Sequence, residues 1–269
     1  MMRSLWTAAS GMITQQTNVD VIANNISNIN TTGYKKETPH FKTLLYQRIQ
    51  ENSTDNQGNR KPVGIQVGLG VRNSAINTQY TQGVIVETGY TFDLAIEGKG
   101  FFMVQLPDGS TGYTRNGSFG ISMSNSSSML VNSEGYSVLD TTGSPIVLDY
   151  DMDMSQVSVD ESGNLFYDTG SETYPLGVQV GVAQFSNPVG LEKMSNSLLK
   201  ETTRSGMARI EAFDNNIENS KIKSGYLESS NVEAANEMVD LIVAQRAYEM
   251  NSKAIQAADE MLQLANNLR

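Results

Sequence analysis

Residues 229–268 have the sequence SSNVEAANEMVDLIVAQRAYEMNSKAIQAADEMLQLANNL, which contains neither glycine nor proline. Apolar residues recur in it every seven positions, and alanines follow three positions after members of that series: Leu241, Tyr248, Ile255 and Leu262, with Ala244, Ala258 and Ala265. Such a stripe predicts a helix that packs against another helix, as in a coiled coil. We expect a continuous helix over residues 231–268, capped by Ser229, Ser230 or Asn231.

The start of the chain repeats this spacing. The series there is Leu5, Met12, Val19 and Ile26, with Ala8, Ile22 and Ile29 offset by three. It predicts a helix from Ser4 to Ile29, followed by Gly33 as a left-handed cap. Stripes at opposite ends of one chain suggest that the ends pack together while the middle is looped out. Because neither stripe has a helical neighbour in the sequence, packing between subunits is favoured over packing within one core.

The middle of the chain, residues 63–186, has short apolar segments separated by turn signals about every eight to twelve residues, which is typical of an antiparallel β domain. The turn signals are Gly98-Lys99-Gly100, Pro107-Asp108-Gly109, Asn116-Gly117, Glu134-Gly135, Thr142-Gly143 and Ser162-Gly163-Asn164. A further strand is expected over residues 175–185, followed by an irregular return segment over residues 191–206.

Between the first helix and the β region lies a connector. Its apolar positions Phe41, Leu44, Leu45 and Ile49 fit either a short helix or an extended arm. Residues 51–64 are dominated by polar residues and glycine, so they predict an exposed loop that forms no core of its own.

Composition excludes several classes of function. The chain has 269 residues, a formal net charge of −10, one histidine and no cysteine. Its acidity argues against nucleic-acid binding, which needs a basic surface. Without cysteine, disulfides and thiolate chemistry are excluded. No apolar run approaches the roughly 20 residues of a membrane helix. The single histidine, His40, follows Pro39 in a polar connector and lacks partners for a catalytic triad or zinc site.

One acidic cluster resembles a calcium-binding loop. Asp149, Asp151 and Asp153 alternate, and Asp160 occupies the twelfth position counted from Asp149. The sixth position, where the loop requires glycine for a sharp turn, is Met154, and the twelfth is not the bidentate glutamate. We therefore predict the solvent face of a strand and no metal site.

Two motifs that suggest anion binding have simpler explanations. Gly98-Lys99-Gly100 lacks the remaining residues of a phosphate loop, so we predict a hairpin turn there. Lys35 and Lys36, with Lys42 and Arg48, predict a solvated face or a subunit contact in preference to an anion site.

Several longer motifs, in order along the chain, resemble those of one protein family. They are RSLWTAASGM (3–12), DVIANNISN (20–28), TGYKK (32–36), LAIEGKGFF (94–102), YTRNGSF (113–119), GYLE (225–228) and AQRAYE (244–249). They closely resemble the signatures of flagellar rod and hook proteins, and the resemblance extends over essentially the whole chain. The residues that match the terminal signatures are Asn24, Asn25, Asn28, Gly33, Gln245, Arg246, Tyr248, Asn251 and Lys253.

The resemblance implies an α+β subunit with three parts. Residues 1–30 and 229–269 would form a discontinuous coiled-coil domain, whose terminal helices build an inner tube. Residues 31–90 and 206–228 would form a β-rich connector that carries loop 51–64. Residues 91–205 would form an inserted, outward-facing antiparallel all-β domain.

The resemblance also implies a structural protein and no enzyme, cofactor or metal site. Its partners would be further copies in a helical tubular homopolymer, proximal rod proteins, the hook protein, the rod cap, the surrounding P and L bushing rings and the flagellar type III export apparatus. It would lie in the flagellar basal body outside the cytoplasmic membrane, exported without a cleaved signal peptide. The length and the polar segment at 51–64 favour the distal-rod subgroup.

The alternatives are a proximal rod or hook-type axial protein, a secreted carbohydrate-active enzyme with paired carboxylates, and a surface adhesin. An adhesin would carry repeats and a wall or lipid anchor, and the sequence shows neither. Paired carboxylates depend on distances that a sequence does not contain.

Overall fold

The computed structural model describes residues 2–50, 65–123, 128–149, 152–169, 172–214 and 216–267. A helix lies near each end of the chain, and strands occupy the region between them, so the predicted α+β class is confirmed. The chain divides into two compact units. Unit 1 comprises Met1–Ser27, Glu37–Asn77 and Glu233–Arg269, and unit 2 comprises Asn28–Lys36 and Thr78–Val232. The loop predicted at 51–64 lies outside the described residues.

Unit 1 combines the two helices with two strand pairs. Its elements are α1 (Met2–Ser27), β1 (Glu37–Thr43), β2 (Tyr46–Gln50), β3 (Ile65–Gly68), β4 (Val71–Thr78) and α2 (Ala234–Asn267). Strand β1 pairs with β4, and β2 pairs antiparallel with β3. The connector around Phe41–Ile49 is therefore extended, the second of its two predicted forms.

The helix boundaries differ from the predicted ones by a few residues. Helix α1 ends at Ser27 instead of Ile29, and the chain then turns before Gly33, whose φ of 69° confirms the left-handed conformation. Helix α2 begins at Ala234 instead of Asn231. The Asn231 side chain does not cap the helix, because its Oδ1 accepts from the Lys36 backbone N–H, and its Nδ2 donates to the backbone carbonyls of Gln79 and Thr81.

Unit 2 is built from short strands. In chain order they are β5 (Ile85–Glu87), β6 (Leu94–Glu97), β7 (Phe101–Gln105), β8 (Thr111–Thr114), β9 (Phe119–Met123), β10 (Ser128–Asn132), β11 (Val147–Leu148), β12 (Val157–Val159), β13 (Asn164–Asp168), β14 (Thr173–Gln179), β15 (Val182–Gln184), β16 (Glu192–Lys193), β17 (Leu198–Lys200), β18 (Arg209–Ile210), β19 (Lys221–Ser224) and β20 (Tyr226–Glu228). Single-turn 3₁₀ helices cover Met154–Gln156 and Pro188–Gly190.

The largest sheet has the strand order β16-β17-β8-β7-β15-β18, and the recorded registers within it are antiparallel. Successive side chains of a strand point to opposite faces. Phe102 and Val104 of β7 join one hydrophobic cluster of unit 2, while Phe101 and Met103 join a second. The continuous apolar run at the start of β7 is thus explained by burial on both faces.

Three expectations about unit 2 are wrong in detail. Residues 98–100 do not form a hairpin, because β6 pairs with β19 while β7 pairs with β8 and β15. The strand expected over residues 175–185 is split at Gly181, where a Cβ would lie 2.8 Å from the Leu139 and Asp140 carbonyl oxygens. The segment over residues 191–206 contains the paired strands β16 and β17.

Candidate functional site

Helices α1 and α2 pack against each other in antiparallel orientation. Asn25, near the end of α1, donates a hydrogen bond to Glu237 in the first turn of α2. Gly11, in the first half of α1, lies against Asn251, whose Nδ2 would be 2.9 Å from a Cβ at position 11. Glycine therefore leaves room for the Asn251 side chain at a position where it costs about 1 kcal/mol of helix propensity.

The predicted heptad residues lie along this contact but are not its most buried members. The buried residues of the contact include those offset by three positions from the heptad series, namely Ala8, Ile22, Ala244 and Ala258. The heptad series itself is half-buried at Leu5, Met12, Val19, Ile26, Leu241, Ile255 and Leu262, and Tyr248 is 41% exposed. Whether these side chains also contact other subunits stays a prediction.

A second apolar face of α2 was missed from the sequence. Its exposed side chains are Met238, Val239, Ile242, Val243, Met250, Met261 and Leu264. At 100° per residue, these positions project opposite the side that faces α1, on an arc that also carries the exposed charged residues Arg246, Glu249, Lys253 and Glu260. The run of apolar residues from Leu241 to Val243 indicates this second face, because three adjacent apolar residues cover a wider arc of the helix than one stripe does. In the single chain this face has no cover among the described residues of unit 1.

A buried polar contact lies near the end of the helix pair. Asn25 is 1% exposed; its Nδ2 donates to the Glu37 carbonyl and to Glu237 Oε2, and its Oδ1 accepts from the Glu37 backbone N–H. Glu237 is equally buried. The amide thus binds both α2 and the first residue of β1, which gives the motif residue Asn25 a structural role.

The other motif residues of unit 1 are more accessible. Asn24, Gln245, Arg246 and Lys253 are exposed, and Asn251 is half-buried beside Gly11. Arg246 forms a 3.0 Å ion pair with Glu249. Gln245, Tyr248 and Glu249 line an open groove along the helix pair, together with Gln16 and Val19.

In unit 2, three charged side chains from distant motifs meet in a buried cluster. Glu228 of β20 accepts from Lys35 Nζ at 2.5 Å and from Arg115 Nε at 2.7 Å. All three residues are at most 6% exposed. Arg115 also donates to the carbonyls of Ile96, Gly98 and Gly100, so it supports the Gly98–Gly100 turn from inside. We call Lys35, Arg115 and Glu228 the ion cluster.

The ion cluster contradicts the expectation that Lys35 belongs to a solvated face. Lys42 and Arg48 are exposed as expected, but the Lys35 ammonium is inside unit 2. Burial lowers the pKa of Lys35, although the Glu228 carboxylate opposes this shift. Burial alone would raise the pKa of Glu228, but Arg115 and then Lys35 outweigh it and hold that pKa below its usual range.

Gly33 brings the segment 28–36 against the ion cluster. Its N–H donates to the Glu228 carbonyl at 2.8 Å, and a Cβ at this position would lie 2.6 Å from the backbone carbon of Arg115. Nearby, Thr32 Oγ1 is 2.7 Å from Asn116 Oδ1, and Asn28 Oδ1 accepts from Thr31. The TGYKK, YTRNGSF and GYLE motifs therefore meet at one place.

The residues considered for chemistry have ordinary structural roles. Asp153 accepts from the N–H and hydroxyl of Ser155 and caps a 3₁₀ turn, and Asp160 accepts from the Glu161 N–H. Asp151 lies outside the described residues. Within the described ranges, no group of three His, Cys, Asp or Glu side chains is arranged to hold a metal ion. His40 is exposed in β1. Neither α1 nor α2, as described, is apolar enough to cross a bilayer.

Comparison with known proteins agrees with the order of the motifs. Residues 5–35 match the family model described as flagella basal body rod protein, and residues 223–268 match the flagellar basal body rod FlgEFG protein C-terminal. Residues 95–167 match the flagellar hook protein FlgE/F/G D1 domain. The chain therefore belongs to the flagellar rod and hook protein family, a family of structural proteins of the bacterial flagellum.

Within that family, three relatives that align over nearly the whole chain are named as rod proteins. The chain is 45% identical over 272 residues to the flagellar basal-body rod protein FlgG of Borreliella burgdorferi, covering 100% of this chain and 99% of that protein. It is 41% identical to the FlgG of Agrobacterium fabrum, covering 98% of each chain, and 37% identical to that of Bacillus subtilis, covering 100% of each.

Proposed function

We propose that this protein polymerises into the distal rod of the flagellar basal body, a helical tube that transmits motor torque to the hook. The observation that carries the proposal is the exposed apolar face of α2. Apolar side chains on the side of a helix that faces water are stabilised when another surface covers them. Helix α1 covers one side, and further copies of the subunit would cover the other.

The full-length similarity to proteins named FlgG supports the distal rod over a proximal rod or hook-type role. In this proposal residues 1–30 and 229–269 form the coiled-coil inner tube. Residues 31–90 and 206–228 form the connector, and residues 91–205 form the outward-facing inserted all-β domain. The partners would be proximal rod proteins and the hook protein, together with the rod cap and the surrounding P and L bushing rings. Export by the flagellar type III apparatus would place it outside the cytoplasmic membrane.

Electron microscopy of polymers from the purified full-length chain tests this function. Val243→Asp places a charge on the apolar face at a residue that is 63% exposed, so the monomer should fold normally. We expect Val243→Asp to abolish polymers, because burying an unpaired charge between subunits costs several kcal/mol. Two control variants should still polymerise. Val243→Ala changes only the bulk of the side chain, and Gln263→Asp adds a charge on a flank of α2. Normal tubes from Val243→Asp would contradict the proposed role of this face.

Residues 51–64 are proposed to contact a neighbouring subunit and to stiffen the rod. Their composition indicates that any order must come from neighbours. Gln50 of β2 pairs with Ile65 of β3, so the segment can be replaced by Asn-Gly, which closes a two-residue hairpin. Polymers of this variant should be curved or mechanically softer than those of the full chain. Straight polymers of unchanged stiffness would show that the loop is not a stiffening contact.

A further inference from the structure

A cavity of about 430 Å³ opens on unit 2 beside the ion cluster. Four cationic side chains line it, namely Lys35, Lys99, Arg115 and Arg209. Phe101 and Phe185 form part of its apolar wall. Lys35 and Arg115 are buried at its base, Arg209 is half-buried, and Lys99 is exposed at its mouth. The cavity is therefore a basic pocket with a partly aromatic lining.

The acidic neighbours of the cavity do not balance these cations. Glu228 pairs with Lys35 and Arg115, and Asp214 pairs with Arg209. Glu211 accepts from Gln184, which also lines the cavity. Three carboxylates thus accompany four cations, and among the described residues Lys99 forms no ion pair. One positive charge remains on a chain whose formal net charge is −10.

The groups at the base retain donors for a ligand. The Lys35 ammonium has three N–H groups, and it donates to the Thr81 carbonyl and to Glu228. The Arg115 guanidinium has five N–H groups, and four hydrogen bonds join it to Glu228 and to the carbonyls of residues 96, 98 and 100. Each side chain therefore keeps one N–H that these bonds do not use.

We propose that this cavity is a receptor for a carboxylate side chain, aspartate or glutamate, of a second copy of the chain. The cationic groups would bind the carboxylate, and the aromatic walls would contact its methylene groups. A second copy is the favoured occupant because the chain carries 29 acidic residues against 19 basic ones, so its surface supplies the complementary charge. The cavity and its acidic partner would lie at different places on the subunit. Such a contact is head-to-tail and builds an open filament.

The proposal rests on the proposed self-assembly, and it is tested by the critical concentration for polymerisation of the full-length chain. Lys99→Glu reverses the charge at the mouth of the cavity without touching the ion cluster. Lys193→Glu makes the same change on exposed β16 and serves as the control. We expect Lys99→Glu to raise the critical concentration at least about tenfold and Lys193→Glu to change it less than about twofold. Thermal melting should show that both variants remain folded.

A small dicarboxylate provides a second measurement. Sodium glutarate should raise the critical concentration of the unsubstituted chain more than sodium chloride of equal ionic strength does, and Lys99→Glu should abolish this difference. Equal critical concentrations for Lys99→Glu and Lys193→Glu would overturn the proposal. If the two variants had equal critical concentrations and glutarate nevertheless stabilised the monomer, the cavity would be a site for free anions only. That result would also overturn the proposal. If the unsubstituted chain formed no polymer, both the proposed function and this contact would be contradicted.

Discussion

Lys35 and Glu228 are separated by 193 positions in the chain, yet their side chains form a 2.5 Å ion pair inside unit 2. Arg115 binds the other carboxylate oxygen of Glu228 at 2.7 Å. This cluster attaches the short segment 28–36 to the strands of unit 2. Because the cluster has two cations and one anion, its members are not equivalent, and their substitution should separate their effects.

Glu228→Gln should destabilise unit 2 far more than Lys35→Met. The first change leaves two cations buried with no anion, which costs about 3–5 kcal/mol. The second leaves Arg115 and Glu228 as a neutral pair and should cost less than about 2 kcal/mol, since a buried ion replaced by an apolar side chain of similar volume is often tolerated. Urea unfolding followed by tyrosine circular dichroism measures both. Equal losses would show that the charge balance of the cluster is unimportant.

The contribution of the ion cluster to the stability of unit 2 should rise with pH at both ends of the pH range. The pKa of Glu228 is lowered below the usual 4.5, so its stabilisation is complete above that pH and is lost as the pH falls through the folded-state value. The pKa of Lys35 is lowered below the usual 10.5, so the folded chain loses this proton first and stability increases as the pH rises toward 10.5. Unfolding free energies across a pH series measure both slopes. Lys35→Met should remove the alkaline slope and keep the acid one.

Gly33→Ala should cost more than the same change at Gly89. Both glycines have positive φ, 69° and 75°, so each substitution carries the left-handed penalty of about 1–2 kcal/mol. A Cβ at position 33 would also lie 2.6 Å from the Arg115 backbone, whereas one at position 89 has no atom within 4 Å. The difference between the two unfolding free energies therefore isolates the close approach. Matching losses would indicate that the backbone near Arg115 yields without cost.

Ile255→Asp should unfold the helix pair, whereas Val243→Asp should leave it intact. Ile255 is half-buried on the side of α2 that faces α1, and a charge there loses several kcal/mol of packing and solvation. Far-ultraviolet circular dichroism of the monomer should show a loss of helix for Ile255→Asp alone. Tyrosine signals of unit 2 should be retained. An unchanged helix content would show that position 255 does not contribute to the α1–α2 contact.

Hydrogen exchange on the soluble monomer should be faster in residues 1–30 and 232–269 than in residues 90–185. Both hydrophobic clusters of the described structure belong to unit 2. The helix pair buries mainly small side chains such as Ala8, Ala244 and Ala258, and helices depend on tertiary packing for most of their stability. We expect the helices to gain protection on polymerisation. Full protection of both helices in a monodisperse monomer would contradict this coupling.

Much of the architecture was predictable from local patterns. The seven-residue repeats identified both helices, and the spaced glycine turns identified the β region, because helix and strand periods are written directly into the order of apolar residues. The element ends were less accurate, and Asn231 explains one reason. The sequence suggests Ser229, Ser230 or Asn231 as the cap of α2, but Asn231 Oδ1 accepts from the Lys36 N–H and its Nδ2 donates to the carbonyls of Gln79 and Thr81. The role of a side chain with several possible hydrogen-bond partners can be assigned only when it is known which of those partners lie near it.

By itself the sequence determined the family, the α+β class and the positions of the two helices. Only the tertiary structure decided which charged residues are buried and paired. Lys35 and Lys36 are neighbours of the same type, yet Lys35 is 6% exposed and pairs with Glu228, whereas Lys36 is only half-buried. No periodicity encodes this difference, because burial of a charge depends on partners supplied by distant segments. Apolar patterns are local and appear in the sequence, whereas an ion cluster exists only where folding brings its members together.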